Sequence, residues 1–462
     1  MINKRISWHE IKKKLFSYRD KTKVELIMEY YITIILLLYP LFLPRVQQWS
    51  SHNPKVFIYF SLTLISLIYC IFETGKSNGE PKFFFHKNEF IILFLIILLT
   101  ILALINIFRK DIRYEVIIFD GCLLISYCLI KNFGKININS LNLLLISAVP
   151  LLLESTQYIL TGTDFFLGVS NIFEHPEDII TYFLLVPCVA SLLYCNEKRR
   201  KWRFFYFTLA SWGSLLLVSQ KNIPSIIMLG MFFVFIPIWE LPTVTLVKRN
   251  IFLLTSFLFG ISCITLLQYF TFTDLMPHYD LKNGSILALL TIIVLAFICQ
   301  YWEKVPKDRD PDRVLMKRFQ KWYRRAVAFV LFILTAVVLT GNRMEGITDR
   351  FGIKTLKVFA ASLQSSISSA ESFYQQLLEN YGIVGCFLWS FLSVLFLEKI
   401  IKVWRNADVV RKQYLSLSVL FLVQTLFYRL QPVSTPAFVV LLALALSEKK
   451  ENISIEETSD TQ

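Results

Sequence analysis

Residues 178–219 read DIITYFLLVPCVASLLYCNEKRRKWRFFYFTLASWGSLLLVS, which is two apolar runs joined by a short basic turn. The runs at 178–195 and 203–219 are each close to the length that a helix needs to cross the roughly 30 Å hydrocarbon core of a bilayer. The turn carries four consecutive basic residues, Lys198 to Lys201. Because basic residues in short loops stay on the cytoplasmic side during insertion, this stretch predicts a transmembrane hairpin whose turn faces the cytoplasm.

The same pattern recurs along the whole chain, which is 55% hydrophobic and only 18% charged, with a mean hydropathy of +0.54. This composition excludes an ordinary water-soluble domain and predicts an all-α, polytopic integral membrane protein with about fourteen transmembrane helices. The predicted spans are 24–43, 56–72, 89–108, 114–130, 140–160, 178–195, 203–219, 223–241, 250–270, 284–302, 325–340, 383–398, 414–430 and 433–447.

The distribution of Lys and Arg predicts the orientation. Most of the 48 basic residues fall in loops on the side of Lys198 when the loops are assigned alternately to the two sides. This predicts an even number of spans, with both termini in the cytoplasm. Residues 1–23 form a cytoplasmic amphipathic segment, either an interfacial helix or a solvated basic arm; 24–447 is the transmembrane domain, and 448–462 is a cytoplasmic tail.

The net charge of +14 follows from this topology signal, so no nucleic-acid partner is expected. All eight cysteines fall within predicted spans, so neither a disulfide framework nor a cysteine metal site is predicted. Asp120 lies inside a predicted span and should face the bundle interior or water; a structural hydrogen bond between helices is the alternative.

The stretch 341–382 is the longest predicted external loop, and it exceeds what a connection needs. Arg350, Lys354 and Lys357 share one face if residues 347–361 are helical. Such a cationic stripe at the membrane surface suits an anionic headgroup such as a lipid pyrophosphate, although a solvated helix face is the alternative. The end of the loop is predicted to form a short amphipathic helix, followed by a turn at Gly382 and Gly385 into the next span.

Three motifs between residues 218 and 385 resemble the Wzy-type polysaccharide polymerase and O-antigen ligase superfamily. In that superfamily, a His-Asn pair begins a short helix that ends in Gly-Ile-x-Gly before a span; here Glu371 and Ser372 precede Gly382-Ile383-Val384-Gly385. Thr340-Gly341-Asn342-Arg343 resembles the start of the large loop. Val218-Ser219-Gln220-Lys221 resembles a Ser-x-Ser-Arg element, with lysine in place of arginine.

This resemblance implies a helical bundle like that of GT-C-type glycosyltransferases, in the plasma membrane of a bacterium. It implies a metal-independent, cofactor-free enzyme that joins polyprenyl-pyrophosphate-linked oligosaccharide repeat units into a capsular or wall polysaccharide at the outer leaflet. The expected partners are these lipid-linked substrates, the bilayer, a chain-length regulator and a flippase.

The resemblance also implies a set of site residues. Glu371 stands where the family has a histidine and is the expected base, with Arg343 and Arg350 as further catalytic residues. The expected pyrophosphate-binding residues are Lys221, Lys354, Lys357 and Arg429, and an interfacial anchor is the alternative role for Arg429.

Two other functions use similar architectures. A ligase of the same superfamily would transfer finished glycan to another acceptor, and the sequence does not separate it from a polymerase. A flippase for lipid-linked oligosaccharides also has about fourteen spans, but internal repeats and short external loops are typical of that class. The long loop 341–382 and the absence of an internal sequence repeat favour the transferase.

Overall fold

The structure is a computed structural model that describes a set of helices and their connections. The described residues are 23–41, 54–76, 114–161, 176–220, 222–239, 246–247, 249–257, 321–322, 324–325, 373–425, 427–428 and 430–447. The predicted spans 89–108 and 284–302, most of 325–340, the segment 1–22 and the tail 448–462 lie outside them. The count of fourteen spans therefore stays a prediction.

Ten long helices make up nearly all of the described chain, which contains no β-strand within those residues. They are α1 (Lys23–Leu41), α2 (Pro54–Lys76), α3 (Tyr114–Phe133), α4 (Ile138–Thr161), α5 (Pro176–Asn196), α6 (Arg200–Ser219), α7 (Ile223–Trp239), α8 (Phe373–Arg405), α9 (Val409–Gln424) and α10 (Ser434–Leu446). A further helical stretch covers 249–257.

Five of the described helical segments are long and apolar enough to cross a membrane: Lys23–Leu41, Lys55–Glu73, Asn139–Tyr158, Ile179–Asn196 and Ile383–Arg405. Shorter apolar helices, among them α10, pack between them. The helical architecture predicted from the apolar runs is confirmed, and these helices indicate an integral membrane protein.

Helix α10 occupies the centre of the described bundle. All thirteen of its residues are buried, and it packs against α1, α3, α5, α8 and α9. At about 1.5 Å per residue, thirteen residues span only about 20 Å, less than a bilayer core. Burial among other helices removes the need for α10 to match the bilayer itself.

Helices α5 and α6 form the closest pair, because a glycine faces a proline between them. A Cβ atom placed on Gly213 would lie 3.1 Å from Pro187 Cδ and 3.5 Å from Val186 Cγ1. Pro187 lies inside α5 and leaves one backbone carbonyl without its helical donor, a gap that helices in membranes tolerate when neighbours pack closely. The missing side chain at Gly213 permits this contact.

Two boundaries differ from the sequence prediction. Helix α8 runs without a break for 33 residues from Phe373, so the turn expected at Gly382 and Gly385 is wrong. Helix α9 ends at Gln424 rather than at 430, and the Gln424 carbonyl accepts the backbone N–H groups of Phe427 and Tyr428 in a turn.

Candidate functional site

Helix ends in the bundle fall into two groups, and each group is held together by polar contacts. At one end, Lys135 Nζ pairs with Glu25 Oε2 at 3.0 Å, and Tyr414 donates to the Asn137 carbonyl at 2.6 Å. Arg249 joins the same group by donating to the Cys195 carbonyl at 2.6 Å. We call this end, where α1, α4 and α9 begin and α3 and α5 finish, the basic end.

Polar contacts at the opposite end join the other termini of the same helices. The Tyr39 hydroxyl donates to the Pro432 carbonyl at 2.7 Å, which ties the end of α1 to the connection before α10. Thr181 Oγ1 lies 2.7 Å from Ser434 Oγ, which links the start of α5 to the start of α10. Helix α1 therefore runs from the basic end to the opposite end, and α5 runs in the other direction.

Positive charge is concentrated at the basic end. The Lys and Arg residues that the structure describes there are Lys23, Lys131, Lys135, Lys198, Arg199, Arg200, Lys201, Arg203, Arg249, Lys399, Lys402, Arg405, Arg411 and Lys412. At the opposite end, the described residues include one basic side chain, Lys55. This asymmetry is the pattern that distinguishes the cytoplasmic side of a membrane protein.

At the opposite end, Asn222, Ser225 and Tyr428 form a compact group that we call the amide–hydroxyl cluster. Asn222 Oδ1 accepts the Ser225 backbone N–H and the Ser225 hydroxyl, each at 3.1 Å, and it also accepts the Tyr428 hydroxyl. Ser225 Oγ lies 2.6 Å from the Tyr428 hydroxyl oxygen. The cluster joins α7 to the connection between α9 and α10.

The position of Asn222 follows from local sequence chemistry. It directly precedes α7, and its side chain accepts the N–H of the third residue on, which is how an asparagine caps a helix N-terminus. Pro224, in the first turn, has no N–H that would need a partner there. Helix capping therefore fixes the side chain in the orientation that also receives Tyr428.

Hydrogen-bond counting shows what the cluster has left to offer. Ser225 and Tyr428 supply two hydroxyl protons for three contacts among their oxygens and Asn222 Oδ1, so one contact lacks a proton in any arrangement. Within the described chain, the Asn222 amide nitrogen has no hydrogen-bond partner. Asn222 is half-buried, and its two amide hydrogens are free to donate to an oxygen-rich ligand.

A buried glutamine lies one helical turn before Tyr428. The Gln424 carbonyl accepts the backbone N–H groups of Phe427 and Tyr428, each at 3.0 Å, in the turn that ends α9. Its side chain is 5% exposed, and its Oε1 has no hydrogen-bond partner within the described residues. A ligand or a water molecule could donate a hydrogen bond to this buried oxygen. Gln424 is therefore a second polar group near this end of the bundle.

The seven residues predicted to form the site, Glu371, Arg343, Arg350, Lys221, Lys354, Lys357 and Arg429, all lie outside the described residues. Their grouping into one site is therefore still a prediction. Two of them adjoin the amide–hydroxyl cluster along the chain: Lys221 directly precedes Asn222, and Arg429 directly follows Tyr428.

Sequence reasoning did not find the three cluster residues themselves. The sequence Asn222-Ile223-Pro224-Ser225 is a recognisable helix start and was an available signal. Nothing comparable marks Tyr428, which meets Ser225 only through the packing of helices some 200 residues apart in the chain.

A second group of hydroxyls lies inside the bundle. Tyr31 contacts Ser126 at 2.6 Å and Thr63 at 2.9 Å, and Tyr59 donates to Ser126 at 2.7 Å. All four side chains are buried among α1, α2 and α3 and satisfy one another, which indicates a structural role. Asp120, on α3, is half-buried.

Among the described residues, no group of three His, Cys, Asp or Glu side chains is arranged to hold a metal ion. The six described cysteines are free thiols in the bundle. Comparisons of the chain with protein-family models, curated proteins and solved structures give no match.

Proposed function

We propose that this protein polymerises polyprenyl-pyrophosphate-linked oligosaccharide repeat units into a bacterial capsular or wall polysaccharide at the outer leaflet. The proposal combines the superfamily resemblance of the loop 341–382 with one structural observation. That observation is the contact between Asn222 and Tyr428, the immediate chain neighbours of Lys221 and Arg429, which are two of the four predicted pyrophosphate-binding residues.

The charge asymmetry supports the required orientation. If the basic end lies in the cytoplasm, the amide–hydroxyl cluster lies at the outer surface. Substrate that has been flipped across the membrane would present its pyrophosphate at that surface. The cluster lies at the end of the bundle where such a substrate would be used.

The reaction breaks the bond between the anomeric carbon of the donor glycan and its pyrophosphate oxygen, which leaves with the electron pair. A new bond forms from the same carbon to an acceptor hydroxyl oxygen, and the acceptor proton passes to Glu371. Charge grows on the leaving pyrophosphate, so Arg343, Arg350, Lys354 and Lys221 would stabilise the transition state. Lys357 and Arg429 would hold the same headgroup.

The amide–hydroxyl cluster would bind sugar oxygens. Its free amide hydrogens donate, and its hydroxyl oxygens keep lone pairs that accept. Neutral groups of this kind can orient an acceptor hydroxyl without competing with the cations for the pyrophosphate. This division assigns charge recognition to the basic residues and sugar orientation to the cluster.

Purified protein incubated with a lipid-linked repeat unit tests the proposal. We expect a ladder of glycan lengths. Single additions to a different acceptor would identify a ligase, and movement of the lipid-linked glycan between leaflets without joining would identify a flippase. Wild-type polymer from both Glu371→Gln and Arg350→Ala would remove those two assignments.

Sidedness is tested separately by labelling of introduced cysteines in intact cells. Cysteine at a position within 341–382 should react with a membrane-impermeant reagent, whereas cysteine at Arg199 should not. The opposite result would put the loop on the cytoplasmic side, away from flipped substrate, and would overturn the proposal.

A further inference from the structure

Two arginines lie at the basic end, near the last turn of α5. The Arg249 guanidinium donates from NH1 to the carbonyls of Cys195, at 2.6 Å, and Tyr194, at 3.4 Å. Arg203, in the first turn of α6, lies close enough that both arginines act electrostatically on the Tyr194 phenol. Both arginines therefore lie near the end of α5, where the Tyr194 ring packs on Phe207 at 5.6 Å and the Phe207 ring packs on Phe252 at 4.8 Å.

The part of the chain that the structure describes offers no hydrogen-bond or ion-pair partner for the Arg203 side chain. Its Nε is buried without a hydrogen-bond acceptor, and within the described residues its side chain makes no hydrogen bond or ion pair. A guanidinium carries five N–H donors, so an unpartnered buried Nε is a group that requires an acceptor from elsewhere.

The two charges also repel each other. Burial, and next the charge of Arg203, lower the pKa of the Arg249 guanidinium. The charge of Glu197 opposes this effect, but within the described residues Glu197 forms no ion pair with either arginine, and its Oε1 accepts the Arg199 backbone N–H at 2.8 Å. An anion between the arginines would relieve the repulsion and supply the missing acceptor.

The surroundings point to a lipid as the source of that anion. Phe204 is 71% exposed and Phe252, whose ring lies 4.8 Å from that of Phe207, is 50% exposed. Trp202, 47% exposed, stacks on Tyr206 at the start of α6. Exposed aromatic rings next to basic residues are typical of the membrane interface, where a headgroup meets the arginines and the acyl chains lie along the apolar side chains.

We propose that Arg203 and Arg249 bind the phosphate of an anionic phospholipid from the leaflet at the basic end. The guanidinium fork matches phosphate geometry, and Arg249 keeps its contact with the end of α5 while its remaining N–H groups face the headgroup. The bound lipid would join α5, α6 and the stretch 249–257. This site does not depend on the transferase activity.

The test uses the full-length protein in nanodiscs of phosphatidylcholine, with and without phosphatidylglycerol, and measures thermal unfolding and the lipid retained in native mass spectrometry. We expect phosphatidylglycerol to raise the Tm and to be retained at least several-fold over phosphatidylcholine. Arg203→Gln should abolish both effects, and Arg203→Lys should keep part of them, because the charge remains without the fork.

The matched control is Arg200→Gln, one turn earlier on α6, where the side chain is exposed. It should keep the full lipid preference. Since the Arg203 side chain has no partner among the described residues, Arg203→Gln should fold normally in phosphatidylcholine alone, whereas Arg249→Gln removes a helix contact as well. Unchanged lipid preference in Arg203→Gln, or an equal loss in Arg200→Gln, would overturn the proposal. An equal rise in Tm with inorganic phosphate would also overturn it, because the occupant would then be a soluble phosphate.

Discussion

Asn222→Asp should separate the folding role of the cluster from its functional role. An aspartate keeps an oxygen to accept the Ser225 N–H, and a negative charge suits a helix N-terminus, so we expect stability within about 0.5 kcal/mol of wild type. Asn222→Ala removes the cap and the acceptor for the Ser225 and Tyr428 hydroxyls. It should cost about 2–3 kcal/mol, with about 1 kcal/mol from the cap and the rest from the two hydroxyl bonds.

Polymer synthesis should fall in Asn222→Asp even though its stability is unchanged. If the pyrophosphate binds at Lys221 and Arg429, a carboxylate at the adjoining position 222 would lie on the order of 8 Å from it. At an effective dielectric constant of about 20, that carboxylate would repel the pyrophosphate by ~2 kcal/mol. That corresponds to a roughly 30-fold fall in kcat/KM for polymer formation, because each 1.36 kcal/mol is tenfold in rate. The assay is polymer synthesis from the lipid-linked repeat unit, beside thermal unfolding of the same preparations.

The control is Asn137→Asp at the basic end. Asn137 Oδ1 accepts the Asn139 N–H at 3.0 Å just before α4, so the same substitution occurs at a comparable helix start. It should change neither stability nor synthesis. Wild-type kcat/KM in Asn222→Asp would refute a pyrophosphate site beside the cluster, and a stability loss equal to that of Asn222→Ala would refute the capping geometry.

Two further predictions concern packing and helix ends. Arg411 donates from Nε to the Ala445 carbonyl at 2.9 Å and also to the Ser447 carbonyl, so Arg411→Gln should lower the free energy of unfolding by about 2–3 kcal/mol, while Lys412→Gln should change it little. Denaturation in detergent measures both; equal losses would contradict the capping role. Gly213→Ala should cost about 1–3 kcal/mol because the new Cβ meets α5, whereas Gly121→Ala, whose Cβ would have nothing within 4 Å, should be neutral or slightly stabilising. Equal Tm values for the two alanine variants would contradict close packing between α5 and α6 at Gly213.

Hydropathy predicted the position of α1 to α7 to within a few residues because lipid-facing and core-facing residues in these helices are both apolar. Hydropathy gave the wrong helix boundaries where the ends of a helix do not coincide with the ends of an apolar run. The amphipathic residues 373–382 form a helix as predicted but join the rest of α8 without the expected turn, and apolar residues after Gln424 do not continue α9. Hydropathy reports which solvent surrounds a segment, whereas backbone hydrogen bonding decides where a helix ends.

The candidate site was predictable only in part. The side of the bundle followed from the placement of Lys and Arg, and Lys221 and Arg429 were named from motif and position. The contact between Ser225 and Tyr428 was not visible, because it forms through tertiary packing that no local pattern encodes. Gln424 was visible as a polar residue in a span, but its burial depends on the neighbouring helices.

The central position of α10 has a consequence for how the bundle is assembled during synthesis. Every other described helix leaves the ribosome first, yet α1, α3, α5, α8 and α9 all need α10 to fill the space between them. These helices remain inserted but loosely associated until α10, Ser434–Leu446, has been synthesised. The final packing of the bundle is then a late step. Translation that stops before Ser434 would leave inserted helices without the central helix that they pack against.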